Sequence, residues 1–246
     1  MPGIVLFGIH LRGPAVELLD SVEKLYGKPI SERIDKALPE GVLGYADVSA
    51  IGEPVIAISD PTGRTEENIV HELFHLKMQA EGYPLFEFSD IMSRDGEYLR
   101  KMRELINDPL SHSLFFPQMK AMGLDPTANL RAQYELNRKS PNTQTEDFLA
   151  TYYFKLAMET ADESLLDDAA QWYRAEGWHA SLETGKALVE IVRTEHPHSP
   201  REMISTFIEC ANRLLEGKAH LKLARIDVRT FGMVQRKFAI LEIAPS

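Results

Sequence analysis

The five residues His71-Glu72-Leu73-Phe74-His75 constrain the fold of this chain more than any other stretch. Two side chains four residues apart lie one turn apart on the same face of a helix, where one turn takes about 3.6 residues. The flanks agree with a helix. Ile69, Leu73, Leu76 and Ala80, joined by Val70 and Phe74, repeat at helical spacing and supply an apolar face. Thr65 is suited to cap the start, and Glu66 and Glu67 put negative charge on the first turn, where the helix dipole favours it. Asn68 stands where a full capping box would carry Glu. Gly82 and Pro84 end the helix soon after Ala80. Upstream, Pro54 to Ser59 is an apolar, β-branched run that predicts a strand, and Asp60-Pro61-Thr62-Gly63-Arg64 predicts a turn.

Chemistry follows from that local order. On one helical face His71 and His75 can reach a single metal ion, and Glu72 beside them can take a proton from a metal-bound water. The pattern predicts a zinc-dependent hydrolase, most often a peptidase, with Zn2+ as cofactor and a peptide or protein as substrate. Catalytic zinc needs a third protein ligand and an open fourth position. The extended pattern with a glycine and a third histidine is excluded, because Met78 and Glu81 occupy those places. Glu81 falls about 240° around the axis from His75 and points away. The third ligand is therefore expected from a later segment. Glu146 is preferred, at the start of an apolar helix that Thr145 caps; Asp147 is the neighbouring alternative, and both acids can also simply serve the helix N-terminus. His112, in the apolar run 106–117, is a second candidate, as ligand, as transition-state donor or as a buried, hydrogen-bonded histidine. Asp108 is a third, although a cap or turn before Pro109 is the simpler expectation.

The strand, turn and HExxH helix resemble the minimal gluzincins of the ImmA/IrrE type. The resemblance covers residues 50–80 and 145–156. It implies an extended segment before the motif helix, His71 and His75 as zinc ligands, Glu72 as general base, and a glutamate from a later helix as third ligand. Glu146-Asp147 before Ala150 resembles that later motif loosely, and here extra helices separate the two parts. No helix-turn-helix domain accompanies them.

At 246 residues the chain is long enough for one large domain, with 1–160 as the metallopeptidase core and 161–246 as a helical extension ending in a β-hairpin. The predicted class is α+β and predominantly helical: a zincin-like core with a small sheet and the HExxH helix, additional helices, and a C-terminal hairpin. Helices are predicted over 14–26, 95–107, 112–122, 126–138 and 145–160, with two or three more over 163–216. Pro109, Gly123 to Pro126, Ser140-Pro141-Asn142, Gly177 and His196 to Pro200 punctuate them. His196 and His198 flank a proline and read as loop residues; Trp172, Tyr173 and Trp178 read as packing residues. Alternation in Leu221 to Arg229 and Lys237 to Ile243, about a turn at Thr230-Phe231-Gly232, predicts a hairpin joined to an amino-terminal sheet.

A net charge of −10 with no basic run argues against nucleic acid as a partner. Arg94, Arg100, Lys101 and Arg103 are interleaved with acids and read as a solvated helix face. Cys210 is the only cysteine, which rules out an intrachain disulfide and a cysteine-based zinc site; its apolar neighbours predict burial. Met1 to Phe7 lacks the features of a signal peptide and no run approaches a membrane span, so a cytoplasmic location is expected. Two other readings stand beside the hydrolase. A latent or regulatory zinc-binding protein without independent protease activity would bind zinc without turnover, and a metal-free helical interaction protein would be indifferent to chelation.

Overall fold

Apolar spacing of 3.6 residues becomes helix and β-branched or alternating runs become short strands, giving a mixed α+β, predominantly helical chain in the computed structural model. The structure describes residues 4–38, 42–89, 96–128, 130–139, 145–216 and 218–244. The Ser140-Pro141-Asn142 punctuation and Arg94 lie outside them. The chain divides into two compact units, each built from several segments.

The first unit comprises Met1–Leu85, Pro117–Pro126 and Asp227–Phe238. It opens with a two-stranded antiparallel ribbon, β1 (Val5–Leu6) and β2 (Ile9–His10). Helix α1 (Gly13–Tyr26) follows, closed by Gly27 as its sequence predicts, with Leu18, Leu19, Val22 and Tyr26 on its buried face. Three strands then form a sheet in the order β3 (Ser31–Ile34), β5 (Pro54–Ile58), β4 (Gly44–Val48). β5 runs parallel to β3 and antiparallel to β4. Its consecutive buried residues Ile56, Ala57 and Ile58 suit a central strand covered on both faces. β3 escapes sequence reading because Ser31, Glu32, Arg33 and Ile34 are all exposed and show no alternation of burial. Helix α2 (Glu66–Ala80) carries the HExxH residues and buries Ile69, Val70, Leu73, Phe74 and Leu76. It packs on α1, β4 and β5. The Tyr26 hydroxyl of α1 donates to the Leu76 carbonyl at 3.0 Å.

The second unit comprises Phe86–Phe116, Thr127–Ile226 and Ala239–Ser246. It contains most of α3 (Gly96–Ala121), then α4 (Leu130–Arg138), α5 (Glu146–Glu159), α6 (Glu163–Ala175), α7 (His179–Glu195) and α8 (Pro200–Leu214). An aromatic core holds α4, α5 and α6: Tyr134, Tyr152, Tyr153, Trp172 and Tyr173 pack with Leu149 and Leu156. Tyr173 donates its hydroxyl to the Leu149 carbonyl at 2.6 Å, giving its buried polar tip a partner. Trp178 packs against this cluster, so the aromatic trio serves the core as expected. α5 and α7 approach so closely at Gly185 that a Cβ there would stand 2.7 Å from the Ala150 carbonyl oxygen. Cys210 is buried in α8.

Two expectations change. The helices predicted over 95–107 and 112–122 are one helix, and Pro109 lies inside it. Proline removes one backbone hydrogen bond, but buried Ile106 and Leu110 on either side anchor the chain through that gap. Asp108 therefore occupies a helix interior instead of a cap or turn. The C-terminal hairpin does form, from β7 (Leu221–Phe231) and β8 (Val234–Ile243), yet it joins β6 (Leu85–Phe88) in a separate sheet of order β6-β8-β7. Consecutive burial of Phe238, Ala239, Ile240 and Leu241 marks β8 as central. Phe86 of β6 stacks on Phe207 with centroids 3.8 Å apart, which seats β6 against α8. Among the described residues no helix is long and apolar enough to cross a membrane.

Candidate metal centre

The motif helix begins where its caps dictate. Thr65 Oγ1 accepts from the Asn68 amide at 3.2 Å, and Glu66 accepts from the Arg12 amide and guanidinium at 2.6 and 2.5 Å. Asn68 does not complete a capping box; its side-chain amide donates to the Gly63 carbonyl at 3.2 Å and ties the helix to the preceding turn. One turn further on, His71 and His75 stand edge to face, half-buried, with ring centroids 4.8 Å apart. Their Nε2 atoms are 3.1 Å apart. Two imidazole nitrogens sharing a tetrahedral zinc at the usual bond length would be about 3.3 Å apart. The separation is close to that spacing, and in the metal-free protein it also suits a hydrogen bond between the two rings.

Glu72 is 6% exposed. It lies 100° around the helix from His71, toward strand β4, and its carboxylate reaches the backbone of Gly44. A Cβ at Gly44 would meet Glu72 Oε1 at 3.2 Å and the Ala57 carbonyl oxygen at 3.0 Å. Glycine at that position thus leaves room for a buried carboxylate beside the two histidines. Sequence reading missed this, since Gly44 and Glu72 meet only through the packing of α2 on β4.

In the second unit, His112 is buried on α3 and its Nδ1 lies 2.6 Å from Glu159 Oε1, at the end of α5. A carboxylate only accepts, so the bond assigns the proton to Nδ1 and the lone pair to Nε2. Phe116 stacks on the imidazole at 4.4 Å and Phe115 meets it edge-on at 5.4 Å. Glu159 was not singled out from sequence, although a signal existed: it falls in line with Tyr152 and Leu156 on a buried helical stripe, where an acid is unexpected. Asp108 sits one turn before His112. Its side chain is accessible to water, yet surrounding protein desolvates the carboxyl and raises its pKa, against the pull of His112 and Lys155.

The other sequence candidates have different settings. Glu146 is exposed on the first turn of α5. Asp147 accepts from the Tyr98 hydroxyl at 2.6 Å and from Lys218 Nζ at 3.1 Å. Thr145 caps this helix through the Phe148 amide at 3.3 Å. His196 ends α7 in a left-handed conformation and the backbone amide of His198 donates to Glu202, so both are loop residues as expected. Compared with protein families, curated proteins and solved structures, the chain matches none, and the functional reading rests on these side chains.

Proposed function

We propose that the protein is a zinc-dependent metallopeptidase, with His71 and His75 as metal ligands and Glu72 as general base. The observation that carries this reading is the 3.1 Å separation of the His71 and His75 Nε2 atoms with Glu72 buried on the same helix. Sheet β3-β5-β4 with α2 packed on β4 and β5 supports a zincin-like core. Glu146, preferred from sequence as third ligand, stays exposed on the first turn of its helix.

Bound zinc would supply Lewis acidity, lowering the pKa of water and polarising the scissile carbonyl. The chain's own residues supply the rest. Glu72 accepts a proton from the attacking water as the new C–O bond forms, then delivers it to the amine nitrogen as the C–N bond breaks. Burial beside Gly44 restricts the Glu72 carboxylate to a narrow range of positions, which favours proton transfer over geometry searching.

Zinc content per chain, measured by mass spectrometry on wild type, His71→Ala and Glu72→Gln, tests the reading together with hydrolysis of a quenched-fluorescent peptide library. The expected result is about one zinc in wild type and Glu72→Gln, loss of zinc in His71→Ala, and turnover in wild type alone. Turnover by zinc-loaded Glu72→Gln would overturn the mechanism. Zinc without turnover in wild type would favour a latent or regulatory zinc protein.

A further inference from the structure

We propose that Arg236 is a positioning residue for the general base: from the tip of the C-terminal hairpin it braces β4 against α2, the two elements between which the Glu72 carboxylate lies. The inference rests on Glu72 being that base. Every residue of the brace belongs to the first unit. Arg236 Nη1 donates to Asp47 Oδ1 of β4 at 2.8 Å, across 189 residues of sequence. The guanidinium is buried, 5.5 and 5.8 Å from the ring centroids of Phe231 and Phe238. Two glycines let the tip close on the β4–β5 turn. A Cβ at Gly52 would stand 2.2 Å from the Phe231 carbonyl oxygen, and one at Gly232 would stand 2.2 Å from the Ile51 carbonyl oxygen. The tip also reaches α2. Lys237 Nζ lies against Gly82, just past the end of that helix. Tyr26, whose hydroxyl holds the Leu76 carbonyl of α2, is near enough to feel both members of the ion pair. Burial pushes its pKa up to about 12, while Arg236 pulls it down and Asp47 pushes it up.

Stability does not account for Arg236. Among the described residues its Nε finds no acceptor, and the Asp47 side chain is 57% exposed. A guanidinium is thus taken out of water for a partner that water screens, an exchange with little net gain over an apolar side chain. Placement is what the pair secures, because the planar fork fits one arrangement of the tip on β4. That placement matters for Glu72. β4 is an edge strand, paired with β5 alone among the described residues, and its Gly44 sets the room open to the carboxylate. A shift of β4 against α2 changes that room, whereas His71 and His75 share α2 and keep their spacing. The signature of a loosened brace is therefore lost turnover with zinc retained.

Full-length wild type, Arg236→Met, Arg236→Lys and Asp47→Asn are compared for zinc per chain and for kcat and KM on one peptide chosen from the quenched-fluorescent library. Melting temperatures in chelator are measured for each protein with and without Gly44→Ala. In Arg236→Met and Asp47→Asn, zinc content and KM should match wild type while kcat falls about tenfold. Arg236→Lys keeps the charge and should recover part of the loss. Arg236 is not among the atoms that crowd Gly44, so the two substitutions would add if no brace linked them. With the brace loosened β4 can yield, and Gly44→Ala should lower the melting temperature less in Arg236→Met than in wild type. Equal melting losses, or wild-type kcat in a folded Arg236→Met, would overturn the proposal. Zinc lost along with turnover would overturn it too, since the helix and not the carboxylate would then be what Arg236 supports. If zinc-loaded wild type turns over no peptide, the peptidase reading fails and the melting comparison alone decides the brace. Should Arg236→Met not fold, Asp47→Asn, altered at the exposed end of the pair, takes its place in both comparisons.

Discussion

Gly44→Ala tests whether the Glu72 carboxylate is held where the structure puts it. The added methyl would lie 3.0 Å from the Ala57 carbonyl oxygen, 3.2 Å from Glu72 Oε1 and 3.3 Å from Ile58 Cγ2. All three are inside ordinary van der Waals separation, so each neighbour must give by a few tenths of an ångström. Ala57 and Ile58 belong to the central strand β5 and resist movement; the carboxylate end of Glu72 yields most easily. Overpacking of this kind costs about 1–3 kcal/mol, offset by about 0.4–1 kcal/mol from the lower chain entropy of alanine in the unfolded state. A net loss near 1 kcal/mol is expected, or about 2–4 °C in melting temperature for a chain of this size. The assay is a double-mutant cycle with Glu72→Ala, run by denaturant titration in chelator so that metal linkage does not enter. Removing the carboxylate removes one of the three clashes, so Gly44→Ala should cost less in the Glu72→Ala background by about 0.5 kcal/mol or more. In the zinc-loaded protein the same substitution should leave metal content unchanged and lower peptide turnover about tenfold, since sub-ångström displacement of a reacting group is costly. Additive stabilities together with undiminished turnover would refute the reasoning.

Other expectations are independent of this one. Leu73 is fully buried on the motif helix, so Leu73→Ala should lose about 2–5 kcal/mol by denaturant unfolding; a loss under 1 kcal/mol would contradict the packing of α2. Asp162 caps α6, and hydrogen bonds from Ser164 and then Arg131 hold its carboxyl down at about 2. Because the folded pKa lies below the unfolded value of about 3.9, its stabilisation is complete above that pH and fades as pH falls toward 2. Acid titration of Asp162→Asn, which keeps a capping side chain, should show a shallower loss of stability across that window than wild type. Burial pushes the Cys210 thiol far up, so a thiol reagent should label it only after denaturant is added, and labelling of the native protein would argue against the α8 packing.

Interactions within one helical turn were legible in the chain itself. The Thr65 and Thr145 caps, the ends of α1 and α2 and the facing of His71 toward His75 all depend on residues at most four apart, and helical geometry dictates their outcome. The burial of Cys210, Trp172 and Tyr173 followed from apolar periodicity in the same way. Longer separations decided the rest. Pro109 looked like a break because its local cost is visible in sequence, whereas the buried residues that carry α3 past it take their partners from elsewhere. The hairpin strands announced themselves by alternation, but alternation does not name a neighbour; β8 found β6 through the burial of Phe86 and Leu241. The motif helix and the facing of its two histidines were thus determined by the sequence alone. Only the tertiary structure decided that Gly44 clears space for Glu72 and that Glu159 holds His112, because each pair joins side chains that no local periodicity relates and that meet only when separate elements bury their apolar faces together.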